Sequence, residues 1–182
     1  MFKLATALTL LAAPAFASGL DITVAGQANG VIHVDLLEDL APQHVAQIEA
    51  IAAEGGYDNV VFHRVIDGFM AQTGDVEFGK ADGDVARAGT GGSAMPDIPA
   101  EFTTDRSFDR GVVGMARSQD PNSANSQFFI MFAPGPFLDG QYTIVGEVTE
   151  GMEIVDQIKR GEGANGAVSD APDVMTSVVV TE

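Results

Sequence analysis

Apolar residues in this chain come in short runs, roughly four to eight long, and Gly, Pro or Asp separates one run from the next. A chain punctuated this way has no room for long helices and must bury its apolar side chains by setting many short strands side by side. Residues 30–37 alternate, with Ile32, Val34 and Leu36 on one side and Val31, His33 and Asp35 on the other, the pattern of a half-buried strand. Residues 60–66 and 69–73 read as strands around Asp67-Gly68, a strong turn pair. Further strands are expected at 111–116, 128–132, 143–148 and 175–180.

Two segments break this rhythm. Pro42 suits a first helical turn, Val45, Ile48, Ile51 and Ala52 recur at helical spacing, and Gly55-Gly56 ends the pattern. After Glu150-Gly151, the residues Met152, Val155 and Ile158 share a face, Lys159 and Arg160 suit the negative end of a helix, and Gly161 closes it. Many short strands with two isolated helices predict a mainly β fold, a closed barrel capped at its ends, and not a layered α/β sheet. Residues 79–99 keep no period and predict a long ordered loop. Its Gly89-Thr90-Gly91-Gly92 has neither the preceding strand nor the following helix of a phosphate cradle. No internal repeat is visible.

At 182 residues and 46% hydrophobic content the chain can bury one core without covalent help. Cysteine is absent, which excludes disulfides, Cys-ligated zinc and thiol nucleophiles together. Lys3, the apolar run 4–14 and the small residues Ala15 and Ala17 around Phe16 form a signal-peptide pattern, so residues 1–17 are expected to be removed and 18–182 to form the mature domain. The run falls short of the ~20 residues a membrane span needs, so no stable anchor is expected. Export, first of all to the periplasm, follows from this reading. The formal charge is −17, and loss of Lys3 leaves 26 acidic against 8 basic residues, or −18. Such a surface disfavours nucleic acid and anionic lipid.

Conventional chemistry finds little support. His33, His44 and His63 show no metal-ligand spacing, and His63, inside an apolar strand, reads as a hydrogen-bonded core histidine. Ser118, Ser123 and Ser126 lie outside any nucleophile elbow, and Asp82-Gly83-Asp84 lacks the periodicity of a calcium loop. Arg64 stands out, because a charge within so apolar a run must reach a surface or serve a purpose. Phe62, Arg64 and Ile66 share a face by alternation, Gln72 in the next strand can bond the guanidinium, and Phe69, Met70, Phe128 and Phe129 offer apolar walls. A structural arginine bonded to backbone carbonyls fits the same pattern.

The stretch from Phe62-His63-Arg64 through Phe69-Met70-Ala71-Gln72 to Gly74-Asp75 resembles the signature of the cyclophilin-type peptidyl-prolyl isomerases. Gly114-Met115-Ala116-Arg117 with Asn125-Ser126-Gln127-Phe128-Phe129-Ile130 is similar to the family's second hallmark, and Leu138-Asp139-Gly140 and Val145-Gly146-Glu147-Val148 extend the match. The resemblance implies a closed eight-stranded antiparallel barrel with a helix at each end. It implies Arg64 as the catalytic arginine with Gln72 as its neighbour, and Phe69, Met70, Phe129 and Leu138 as the proline pocket. It places Ala116 and Arg117 on the strand that pairs with substrate backbone. Phe137 stands where many relatives carry Trp, which implies weak cyclosporin binding, and Tyr142 stands where His is frequent and offers a polar edge to the pocket as His would. Asp67 replaces a frequent turn proline, and the 79–99 loop resembles the bacterial branch. The implied partners are proline-containing polypeptides and folding intermediates, bound by a monomer without metal or cofactor. A non-catalytic proline-peptide binder or holdase using the same groove is the alternative, and a structural subunit of an envelope complex a third.

Overall fold

The computed structural model describes residues 18–182, so the expected signal peptide, 1–17, lies outside the described residues. The strands are β1 (Gly19–Ala25), β2 (Gly30–Leu36), β3 (Val60–Val61), β4 (Arg64–Ile66), β5 (Met70–Thr73), β6 (Val112–Met115), β7 (Phe128–Met131), β8 (Ile144–Glu150) and β9 (Val174–Thr181). The helices are α1 (Pro42–Ala53) and α2 (Met152–Val155). The strands form one antiparallel sheet in the order β3-β9-β1-β2-β8-β6-β7-β5-β4.

The fold is mainly β with two helices, but the expectation of a closed eight-stranded barrel needs correction. The run 60–66, expected as one strand, is broken at Phe62-His63, where the backbone leaves the ladder: the Phe62 N–H donates to the Asp173 carbonyl and the His63 carbonyl accepts from Val168. Its first half pairs with β9 and its second with β5, so nine strands result and the two edge strands are joined by chain and not by a ladder. The 161–168 segment lies along the outer edge of β4, with Val65 N–H donating to Gly166 and Gly161 N–H to Val65. The structure also adds β1, where Leu20, Ile22 and Val24 are buried in alternation.

Burial explains the layout. Helix α1 turns Val45, Ile48 and Ile51 onto the inner face of the sheet, against Ile32, Val34, Phe62, Val65, Met115, Phe128, Ile130 and Met175. Each fully buried aliphatic or aromatic side chain contributes about 1.5–3 kcal/mol. On the other face a smaller cluster gathers Met70, Phe108, Val112, Phe129, Met131, Leu138 and Ile144. Strand β7 is therefore buried on both faces, Phe128 and Ile130 inward and Phe129 and Met131 outward, which is why it reads as an unbroken apolar run.

The second helix is shorter than its periodicity predicts. It ends at Val155, and Ile158 reaches the core from a turn instead. The Lys159 N–H donates to the buried Asp173 carboxylate at 2.6 Å, which draws the chain off the helical path. Residues 79–99 are an ordered loop with a single 3-10 turn at Val85–Arg87. The fully buried Asp75 carboxylate organises it: one oxygen accepts from Glu77 and Phe78, and the other from the Gly89 N–H at 2.7 Å and the Gly91 N–H at 2.9 Å. Gly89 has φ +96°, and a Cβ there would fall 2.9 Å from the His63 ring.

Candidate functional site

One rung of the sheet assembles the site. Arg64 on β4 stands opposite Gln72 on β5, Gln72 opposite Phe129 on β7, and Phe129 opposite Gly114 on β6. Gly114 makes room for this row, since a Cβ there would come within 2.6 Å of the rings of Phe108 and Phe129. The hairpin between β4 and β5 turns at Asp67-Gly68, with Gly68 at φ +68°, and thereby brings Phe69 and Met70 beside Arg64.

The guanidinium of Arg64 is pinned at two points. Nη1 donates to Gln72 Oε1 at 3.0 Å and Nε to the Asn165 carbonyl at 3.0 Å, while Nη2 has no partner among the described residues. The Gln72 amide is fixed in turn, its Nε2 donating to Gln127 Oε1 at 2.9 Å, and Gln127 Nε2 donates to the Gly91 carbonyl at 2.8 Å. Every amide in this relay has its orientation set by the next one, back to the loop that Asp75 organises. Burial lowers the Arg64 guanidinium from its ordinary value, partly offset by Tyr142, and it stays a cation at neutral pH.

Arg64 and Gln72 border a cavity of about 400 Å³. Its floor is Met70, Phe129 and Leu138, all buried, and its rim is Phe69 and Phe137 with ring centroids 5.6 Å apart. Ala116, Arg117, Gln141 and Tyr142 close the remaining side, with Tyr142 edge-on to Phe129 at 5.9 Å. Phe137 is 63% exposed, so it forms a lip more than a wall. The catalytic pair and the eight substrate-binding side chains expected from the sequence all line this one cavity, whereas Phe128, expected as a further apolar wall, points to the opposite face of β7 and packs in the inner core. A second, more polar cavity of about 450 Å³ adjoins it and shares Gln72, Ala116 and Arg117.

Other candidates fall away. His63 is buried, but neither ring nitrogen is hydrogen-bonded, which corrects the expected bonded core histidine; burial holds its pKa below the ordinary value and the ring is neutral. The hydroxyls of Ser118 and Ser123 bond each other at 2.7 Å, and that of the buried Ser126 donates to the Gly74 carbonyl. Gln127 and the Asn165 carbonyl complete this arrangement and were not singled out from the sequence. Gln127 lay within a recognised motif, whereas a backbone carbonyl leaves no signal in side-chain identity.

The comparisons with known proteins bear on the family and the fold. The family model described as cyclophilin type peptidyl-prolyl cis-trans isomerase/CLD matches residues 20–180. A probable peptidyl-prolyl cis-trans isomerase of Brucella suis biovar 1 (strain 1330) is 59% identical over 154 residues, covering 83% of this chain and 78% of its own. The isomerase cyp15 of Rhizopus delemar is 40% identical over 133 residues, 72% of this chain and 20% of that much longer protein. A crystal structure of a Cryptosporidium parvum cyclophilin type isomerase, determined in the presence of the dipeptide Ala-Pro, superposes with a TM-score of 0.76 at 27% identity, covering 90% of this chain and 99% of that one. The cyclophilin AquaCyp293 from Hirschia baltica gives a TM-score of 0.71 at 27% identity, over 88% of this chain and 73% of its own. A family match over nearly all the described residues, a close relative covering most of the chain and the same fold in solved structures lead to one conclusion: the chain belongs to the cyclophilin-type peptidyl-prolyl cis-trans isomerases.

Proposed function

We propose that Arg64 is the catalytic side chain of this isomerase, that Gln72 orients it, and that Phe69, Met70, Phe129, Phe137, Leu138 and Tyr142 hold the proline ring. Rotation about an X-Pro bond faces a barrier of ~20 kcal/mol because the twisted amide loses its resonance. As it twists, the proline nitrogen regains a lone pair, and a donor aimed at that nitrogen stabilises the transition state more than either planar isomer. The observation that carries this reading is the half-spent guanidinium: Gln72 and Asn165 fix its plane, and Nη2 remains unpartnered beside an apolar cavity. The apolar floor keeps water from the amide and the ring still, so the acyl side turns against a fixed proline. No bond to carbon breaks in this reaction.

Ala116 and Arg117 are assigned to the wall along which the substrate backbone lies. Proline-containing polypeptides and folding intermediates are the proposed partners, which the Ala-Pro dipeptide used with the Cryptosporidium relative supports. The leader-like residues 1–17 support a role on exported proteins, with the periplasm as the compartment, where uncatalysed isomerisation over tens of seconds limits folding.

The test is the rate of cis/trans exchange in an Ala-Pro peptide by NMR exchange spectroscopy. Wild type is expected to accelerate exchange, and Arg64→Ala to lose on the order of a hundredfold, the scale of a lost transition-state donor. Arg64→Lys, a point charge without the planar fork, is expected to recover only part. Binding of the peptide without acceleration would replace the enzyme with a non-catalytic binder or holdase.

A further inference from the structure

Residues 18–182 carry 26 acidic and 8 basic side chains. Four of the eight cations are neutralised by carboxylates: Arg106 by Glu147, Arg110 by Asp156, Lys159 by Asp170 and Arg160 by Asp67. Arg64 and Arg117, the two that line the proline cavity, have no carboxylate partner among the described residues, and no Asp or Glu lines that cavity. A positively charged patch is thus kept open on a strongly acidic surface.

Arg117 is held without losing its charge. Its Nε and Nη2 donate to the Gln141 carbonyl at 3.2 and 2.9 Å, Nη1 donates to the Ser118 carbonyl at 2.9 Å with a longer contact to Gln119 at 3.5 Å, and Cζ lies 4.4 Å above the Tyr142 ring. These partners are neutral dipoles and a ring face, which orient a cation but do not cancel it. Four contacts against five N–H donors also leave at least one donor for a ligand. Arg117 stands where the apolar cavity meets the polar one, so a side chain seated in the polar cavity beside a bound proline comes against the guanidinium. The one carboxylate on the polar wall, Asp97, accepts from Asn125 Nδ2 at 3.0 Å.

We infer that Arg117 is a specificity-determining residue, selecting proline segments that carry a carboxylate within two residues of the proline. In an extended peptide two residues span about 7 Å, short enough for the ring to stay in the apolar cavity while the acid meets Arg117. The net negative charge of the molecule opposes an acidic client at long range, but at 0.15 M salt that field fades beyond about 8 Å and the contact cations dominate.

The inference rests on the proposed proline site, and its test separates the two. Peptides with Glu at each of the two positions on either side of proline are compared with Gln isosteres and with the Ala-Pro peptide, by exchange spectroscopy and by chemical-shift titration of affinity. One position should favour Glu over Gln about three- to fivefold in kcat/KM or affinity, the size of a partly exposed ion pair. That ratio should fall to about one in Arg117→Gln, persist in Arg117→Lys, and in wild type decline as salt is raised. A Glu-to-Gln ratio of one at every position, with the Ala-Pro peptide still turned over, overturns the inference and leaves the isomerase reading standing. A preference that survives Arg117→Gln also overturns it. Failure to bind any of the peptides removes the site itself.

Discussion

Gln127 touches neither Arg64 nor the apolar floor, yet it sets the direction of the Gln72 amide and ties it to the Gly91 carbonyl. Replacing it by Leu leaves Gln72 Nε2 and that carbonyl without partners and frees the arginine to swing, at a cost of about 1 kcal/mol or more. Gln127→Leu is therefore expected to lower kcat about tenfold with KM little moved, in a protein that stays folded with a thermal transition lower by only a few degrees. A parallel rise in KM, or none of the loss, would assign Gln127 to the binding wall or to nothing. Phe137 makes a different residue-scale statement. Its exposed ring supplies a lip without the area or N–H of an indole. Phe137→Trp is expected to tighten cyclosporin on the order of tenfold, read by inhibition of Ala-Pro exchange; unaltered inhibition would locate weak binding elsewhere. At this scale the sequence was most informative where identity carries chemistry. Arg64 stood out as a charge in an apolar strand, and most of its neighbours followed from the family resemblance. Asn165 was invisible because it contributes a carbonyl that any residue could supply.

Helix α1 illustrates what is legible in an element. Its apolar period and its proline start were evident, and it spans Pro42–Ala53. How its first turn is satisfied was not evident, because Ala41 offers no side-chain cap. Glu101, 57 residues beyond His44, does that work: its carboxylate accepts from the backbone N–H groups of Gln43 and His44 and from His44 Nδ1 at 2.6 Å. Burial pushes the Glu101 carboxyl up, but the bonds from His44 and Gln43 outweigh it and hold it below its usual 4.5. A carboxyl depressed in the folded state stabilises the protein above its unfolded pKa, and that stability is lost as pH falls through the folded value. Urea midpoints should thus drop from about pH 4.5 downward, and Glu101→Gln should lower the plateau near neutrality while flattening this acid limb. An unchanged limb would remove Glu101 from the account. The α2 boundary failed for a related reason, since a distant buried carboxylate, Asp173, captures the backbone at Lys159 and ends the helix early.

At the scale of the molecule, strand content and the two helices were readable from punctuation, whereas the break at Phe62-His63 was not. Both halves of that run are apolar and extended; only their different neighbours, β9 and β5, make them two strands. The export reading belongs to this scale too. Protein recovered from a periplasmic extract should begin at Ser18 and scatter light as a monomer; a chain retaining Met1 in the cytoplasm would overturn export, and a dimer the monomer. The sheet order also carries a consequence for how the protein is made. β3 finds its sheet partner in β9, the last of the described strands in chain order, and β9 lies between β3 and β1, the first of them. A growing chain can form the β4 to β5 hairpin early and bond Val61 to Gly79 and Thr73, but the strand feeding Arg64 lacks its sheet partner until Val174–Thr181 emerges. Pairings so distant in sequence form slowly, so the sheet that carries Arg64 is completed only once the last of the described strands has been made.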